Sequence, residues 1–467
     1  MLRARASFLT LLALLAGAGP SAAAQSRALV VTSDFVSGAF SWLDLDTRAT
    51  HNDVTTVHSD ATLRWYEGMV YVINRAGADN IQVLDPASGF HTAYQFSVGN
   101  GTNPQDIAMA SPTKAYVSRY DSPSLLVCNP STGAEIGTIS LAAFADADGL
   151  PEMAHLAIVG HRLFVAVQRL DRNAGYSPTA YSLVVVIDTD ADTVLDVNPA
   201  LPGVQGITLT YKDPVTTFTY DRNTGRLLIG CVGVFGATDG GIEGIDVNTL
   251  ASLGSAIGEG ALGGDLGDFE VLNGTHAYAI VSDASFNTAL VSWNPTTHLK
   301  LATIASPGGF SLSDCALNDR GELYLANNGF SAPGLYVYQA GTDALIAGPI
   351  GTGLPPNQIT FDEARGEVAG VAPATGALAF SNPWPNPARQ GVRFTLSLAE
   401  RARVHVEAFD LAGRRVSMLA DEMRSAGVSS VVWDLADATG RRVDAGVYLV
   451  RARIGAATVT RRVAVVR

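Results

Sequence analysis

The stretch that most constrains this chain is residues 69–89, MVYVINRAGADNIQVLDPASG. It reads as a short apolar strand, a polar loop, a second strand ending in Leu-Asp-Pro, and a turn closed by Gly. The phrase appears seven times. Its inner strands contain Val30-Val31, Val70-Tyr71-Val72, Ala115-Tyr116-Val117, Leu163-Phe164-Val165, Leu227-Leu228-Ile229, Ala277-Tyr278-Ala279 and Leu323-Tyr324-Leu325. Its second strands end at Asp46, Asp85, Asn129, Asp188, Asp246, Asn294 and Gln339. Asp or Asn at such a site bonds its own backbone and starts a turn, and a following Pro (Pro86, Pro130, Pro295) fixes the next φ. The spacing is roughly 41–50 residues, with one interval of about 64, and periods of this size mark propeller blades or other repeat arrays. The wide interval carries an insertion around residues 171–179.

Before each phrase except the first lies another short apolar strand that begins on a polar residue: Asp60, Asp106, His155, Thr217, Asp268, Asp314 and, after the last phrase, Gln358. The first phrase lacks this strand, and residues 358–361 with 367–371 lack a phrase. A ring repairs both defects at once and removes exposed sheet edges. The expected fold is all-β: a seven-bladed β-propeller over residues 25–372, then a linker at 373–379 and a small Ig-like β-sandwich at 380–467.

Composition supports this class. Only 16% of residues are charged and Gly numbers 47, which suits many strands and tight turns rather than helices. Residues 26–377 hold 15 Lys+Arg against 36 Asp+Glu, a balance of −21; residues 378–467 hold 14 Arg against 8 Asp+Glu, a balance of +6. The contrast separates two domains. The acidic main body excludes nucleic acid as its partner, because phosphate binding needs a basic face. Cys128, Cys231 and Cys315 have no metal-ligand spacing and read as buried free thiols.

Residues 1–24 have the pattern of a secretory signal peptide: Arg3 and Arg5, an apolar run over 8–18, and Ala22-Ala23-Ala24 before Gln25. No segment reaches the roughly 18 apolar residues of a transmembrane span. The expected location is secreted or at the outer cell surface, after cleavage near Ala24.

The tail alternates apolar and polar residues at Val404, Val406 and Ala408, again at 447–450 and at 463–466. Its motifs are Pro385-Asn386-Pro387, Phe409-Asp410-Leu411-Ala412-Gly413-Arg414-Arg415-Val416, Trp433-Asp434, Gly440-Arg441-Arg442-Val443 and Ala445-Gly446-Val447-Tyr448-Leu449. With these the segment resembles the Ig-like C-terminal modules of type IX secretion cargo and the Ig-like domain of flagellar hook-capping proteins. That resemblance implies a bacterial protein whose residues 380–467 engage secretion machinery or attach to the cell surface. The closing RRVAVVR is Arg-rich where many cargo tails carry Lys. Through Tyr71-Val72 and Tyr116-Val117 the propeller is similar to the YVTN-type and surface-layer propellers of exported bacterial proteins.

Aligned strand starts would bring Asp60, Asp106, His155, Thr217, Asp268, Asp314 and Gln358 to one mouth of the channel. Two outcomes follow from such a ring. It holds a ligand or a Ca²⁺ or Mg²⁺ ion among its oxygens, or each residue bonds the backbone of a neighbouring blade. Asp188-Thr-Asp-Ala-Asp192 has the start of a calcium loop but lacks its Gly and Glu, and Asp146, Asp148 and Glu152 form another acidic loop. The chain has no G-x-S-x-G, H-E-x-x-H, P-loop or Cys-x-x-Cys. The first functional reading is therefore a non-enzymatic binding protein, its propeller loops (such as 169–181) recognising a small molecule, glycan or protein. The alternatives are a metal-dependent propeller hydrolase or lactonase using the acidic ring, and a structural surface-layer component.

Overall fold

The computed structural model describes residues 27–362, except 180, 222 and 223, and residues 379–466, except 381–387, 390, 399–401, 411–412, 425–426 and 455–456. The leader at 1–24, the strand expected at 367–371, most of the linker at 373–379, and Pro385-Asn386-Pro387 lie outside the described residues.

The chain is all-β. Its unit is a four-stranded antiparallel meander, as in Ala61–Tyr66, Met69–Asn74, Asn80–Asp85 and His91–Ser97. The repeated phrase supplies the two middle strands. Val70, Val72, Ile81 and Val83 are fully buried there, while the outer strand His91–Ser97 is half exposed. Strands buried on both faces read as near-continuous apolar runs. The phrase strands were expected to be innermost. They are second in each sheet, and the strand preceding the phrase lies nearest the centre.

These inner strands lie side by side: Pro104–Ser111 against Met153–Val159, Asp265–Asn273 against Leu312–Leu317, and Leu312–Leu317 against Pro356–Phe361. Pro356–Phe361 in turn meets Ala61–Tyr66. Each apolar core is shared between one sheet and the next. Tyr116, Leu125 and Val127 pack with Leu156, Val165 and Val185; Phe164 and Val186 pack with Phe218, Leu227 and Ile229. The circuit closes where Arg27–Ser33 pairs antiparallel with Pro356–Phe361, residues 300 or more positions apart in sequence. Arg27 clasps Asp362 at the end of that pairing, its backbone N–H donating to Oδ1 at 2.5 Å.

The widened interval has two causes. A small hairpin pairs Leu170–Asp171 with Ser177–Pro178, where the insertion was expected. A second excursion, residues 196–206, interrupts an outer strand between Thr193–Leu195 and Ile207–Thr208.

In the C-terminal region, sheet Arg415–Arg424, Ala402–Phe409, Gly446–Ile454, Ala457–Val465 faces sheet Ala379–Phe380, Val392–Leu398, Gly427–Trp433. Phe394, Val431 and Trp433 from one meet Val404, Val406, Val450 and Val463 from the other in one core. The Trp433 ring meets Tyr448 edge-on at 5.3 Å. Among the described residues no helix is long and apolar enough to cross a membrane. Cys128, Cys231 and Cys315 are buried and unpaired, and burial pushes the Cys128 thiol up to about 12.

Candidate functional site

The inner strands surround a cavity of about 1110 Å³. Thr217, Asp268, Asp314 and Gln358 line it, together with Arg64, Met109 and Glu270. Asp106 and His155 occupy the equivalent strand position but turn into the seams between sheets. Asp60 is not part of the ring. Register places Thr62 opposite Ile73 just as Asp106 stands opposite Ser118, so Thr62 holds the position expected for Asp60. The ladder bulges before Asp106, Asp268 and Asp314 but runs straight from Ala61 to Tyr66, which offsets the two alignments. Asp60 sits before its strand, 43% exposed and paired with Arg75.

Four of the ring side chains share one role. Asp106 Oδ2 accepts the N–H of Leu156 in the next sheet at 2.8 Å. Asp268 does the same for Cys315 at 2.9 Å, Asp314 for Ile359 at 2.8 Å, and Gln358 for Leu63 at 2.8 Å. Each donor directly follows the next sheet's own ring position. This repeated latch satisfies a backbone group at the seam, where an unpaired N–H would be costly. His155 contributes differently, with Nε2 3.0 Å from the Val215 carbonyl.

The charges are unevenly balanced. Burial would raise the Asp106 carboxyl, but the bidentate Arg64 guanidinium, at 2.8 and 2.6 Å, outweighs it and holds the group well below the usual carboxylate range. Asp268 has no such partner, and burial pushes it up to about 6 against the opposing Cys315 N–H. Asp314 is raised well above the ordinary value by burial and then by Asp268 beside it. Arg64, two residues beyond Thr62, is the member that strand-start counting missed. A basic residue directed at an acidic ring was its only sequence signal.

The other acidic candidates are turn and cluster elements. Asp188 accepts the N–H of Asp190 and Ala191, and Asp192 takes the Tyr116 hydroxyl at 2.5 Å. Asp146, Asp148 and Glu152 bring one oxygen each within 4.8 Å of one another. Arg172 stands among them, 3.0 Å from Glu152, 3.5 Å from Asp148 and 2.7 Å from Asp121. Its guanidinium already supplies the positive charge there. Burial pushes Glu152 up to about 7 even so.

A second feature emerges at the end where the inner strands begin. Because strands alternate in direction, the turn between second and third strands and the connection to the next sheet leave from this same end. Hydrogen bonds join the two loop sets: Ser33 N–H to the Pro355 carbonyl, Leu141 to Pro123, and Asn328 to Ser311, each at 2.8 Å. These loops expose Phe35, Phe235, Phe286, Phe310 and Phe330, the last entirely. Phe235 and Phe286, from adjacent sheets, stack with centroids 4.9 Å apart. Phe35 (φ 70°) and Phe286 (φ 63°) also hold left-handed backbone, where bulky residues are strained.

No protein-family model matches the chain, and no curated protein matches it. Among solved structures it is similar to a candidate 6-phosphogluconolactonase of Bacteroides fragilis, at 12% identity over 72% of this chain and 98% of that one, with a TM-score of 0.50. A protein of Lactobacillus plantarum is similar at 13% identity over 73% of this chain and 100% of that one, TM-score 0.51. The β-propeller domain of Myceliophteria thermophila Swd1 aligns at 12% identity over 65% of this chain and 90% of that one, TM-score 0.42. At such identities likeness shows the fold alone.

Proposed function

With that fold, a β-propeller, as the premise, we propose that the mature chain is an exported, non-enzymatic binding protein. In this reading the propeller has seven blades over residues 25–372. The loop face recognises a partner, and an Ig-like module at 380–467 serves secretion or surface attachment. The exposed Phe residues on that one face carry the reading. Large exposed apolar groups gathered on one surface mark interaction sites, while Asp106, Asp268, Asp314 and Gln358 are engaged in latches between adjacent sheets.

The test uses the mature protein on glycan and peptide arrays, with metal content measured alongside. The reading expects saturable binding that Phe286→Ser with Phe330→Ser reduces at least ~10-fold, about 1.4 kcal/mol. A stoichiometric divalent ion lost in Asp268→Ala, together with lactone turnover by the wild type, would replace it with the metal-dependent hydrolase.

A further inference from the structure

The two ends of this chain complement one another chemically. In the Phe-bearing loops (34–37, 233–240, 283–287, 306–311 and 328–333) every charged residue is an aspartate: Asp34, Asp239 and Asp283. Loop N–H groups hold the Asp34 and Asp283 carboxylates, so both stay ionised. The face therefore offers phenyl rings and fixed negative charge, and it repels anionic polymers and anionic surfaces.

The C-terminal module has the opposite character. In Ala402–Phe409, Val404, Val406 and Ala408 point into the core, so Arg403, His405, Glu407 and Phe409 occupy the outer face of the sheet. Register brings Arg453 opposite His405, Arg451 opposite Glu407, and Arg415 opposite Phe409. Met423 lies opposite Arg403 and Met418 opposite Glu407, both about half exposed. Arg403, His405, Asp421 and Arg453 surround a hollow of about 340 Å³ on this face. Arg and Met are the residues that aromatic rings favour as neighbours, through cation–π and sulfur contacts, and both are enriched at interfaces. Within the module, the Arg451 guanidinium already lies 4.3 Å from the Phe409 ring centroid.

Every copy carries both faces, so a second copy supplies to the Phe face a surface of opposite charge.

We propose that the Phe- and Asp-bearing loop face of one copy docks on the Arg- and Met-bearing sheet face of the C-terminal module of a second copy, so that mature chains assemble head to tail. The two surfaces differ, so the contact is heterologous and propagates into chains instead of closing as a two-fold dimer. This rests on the recognition reading of the Phe face and names its partner.

The experiment is sedimentation velocity on the mature full chain from ~1 to ~100 μM, at ~50 mM and ~500 mM salt. Two variants accompany it: Phe310→Ser with Phe330→Ser, which alters only exposed loop tips, and Arg403→Glu with Arg453→Glu. The wild type is expected to grow in mass with concentration and to shrink in high salt. Each variant alone stays monomeric, and the two mixed form one-to-one dimers, because one brings an intact module and the other an intact face. The inference is overturned if the wild type stays monomeric at low salt, if the variants assemble as the wild type does, or if the mixture fails to pair. If assembly fails while array binding still depends on Phe286 and Phe330, the recognition reading stands and only the partner is wrong.

Discussion

Asp106 and Asp60 look alike in sequence, each an aspartate before an apolar run, but their surroundings make opposite predictions. Asp106 is buried and receives Arg64 and two backbone N–H groups. Removing it with Asp106→Ala strands the guanidinium and the Leu156 N–H, and should cost about 3–5 kcal/mol in denaturant unfolding. Asp60→Ala removes a partly exposed pair and should cost less than about 1 kcal/mol in the same measurement. The Asp268–Asp314 pair predicts a pH dependence. The folded Asp268 carboxyl keeps its proton to about pH 6, whereas an unfolded one releases it near 4. The folded state thus binds the extra proton in that window, so stability falls as pH rises from 4 to 6. Asp314, also raised by burial and by Asp268, adds to the fall. Asp268→Asn with Asp314→Asn keeps an oxygen acceptor for each latch and removes the titration. Melting curves should show the wild type losing about 2 °C or more between pH 4.5 and 7, and the variant markedly flatter. An equal slope in both would refute the assignment.

At the scale of the strand and turn, the recurring Asp or Asn is a turn device. Asp44, Asp85, Asn129, Asp188, Asp246 and Asn294 each accept the N–H two residues on, at 2.8–3.0 Å. In the first phrase the acceptor is Asp44, not Asp46, because the strand ends two residues earlier than its text suggests. Gln339 breaks the series; there the Asp343 N–H donates to the Gln339 carbonyl at 3.0 Å. Asn294→Ala removes the acceptor for Thr296 and Thr297. It should cost about 1 kcal/mol, read from unfolding midpoints, and a neutral result would mean that water replaces the side chain. Three tyrosines of the phrase serve the next sheet: Tyr116 bonds Asp192, Tyr278 bonds Asp343 at 3.0 Å, and Tyr324 meets Arg48. Their apolar neighbours marked these strands in the sequence, but nothing local indicated where the hydroxyls would go.

At the scale of the whole molecule, one strand holds the circuit shut. Ile359 is buried in the core that joins Ala28 and Val30 to Tyr324 and Val337. Ile359→Ala should cost about 2–5 kcal/mol, and hydrogen exchange should quicken first in Arg27–Ser33 and Gly38–Asp44; uniform exchange would show that closure there is not the weak point. The sequence by itself determined the all-β class, the repeat and its period, the need for terminal closure, and the separation of an acidic body from a basic tail. Those follow from side-chain periodicity, turn chemistry and charge, all readable over a few residues. Only the tertiary structure decided which strand is innermost, that Thr62 replaces Asp60, that Asp106, Asp268, Asp314 and Gln358 latch neighbouring sheets, and that five phenylalanines from distant loops share one face. Those depend on β-bulges that shift register by a residue and on contacts between segments tens to hundreds of positions apart, and no local pattern records either.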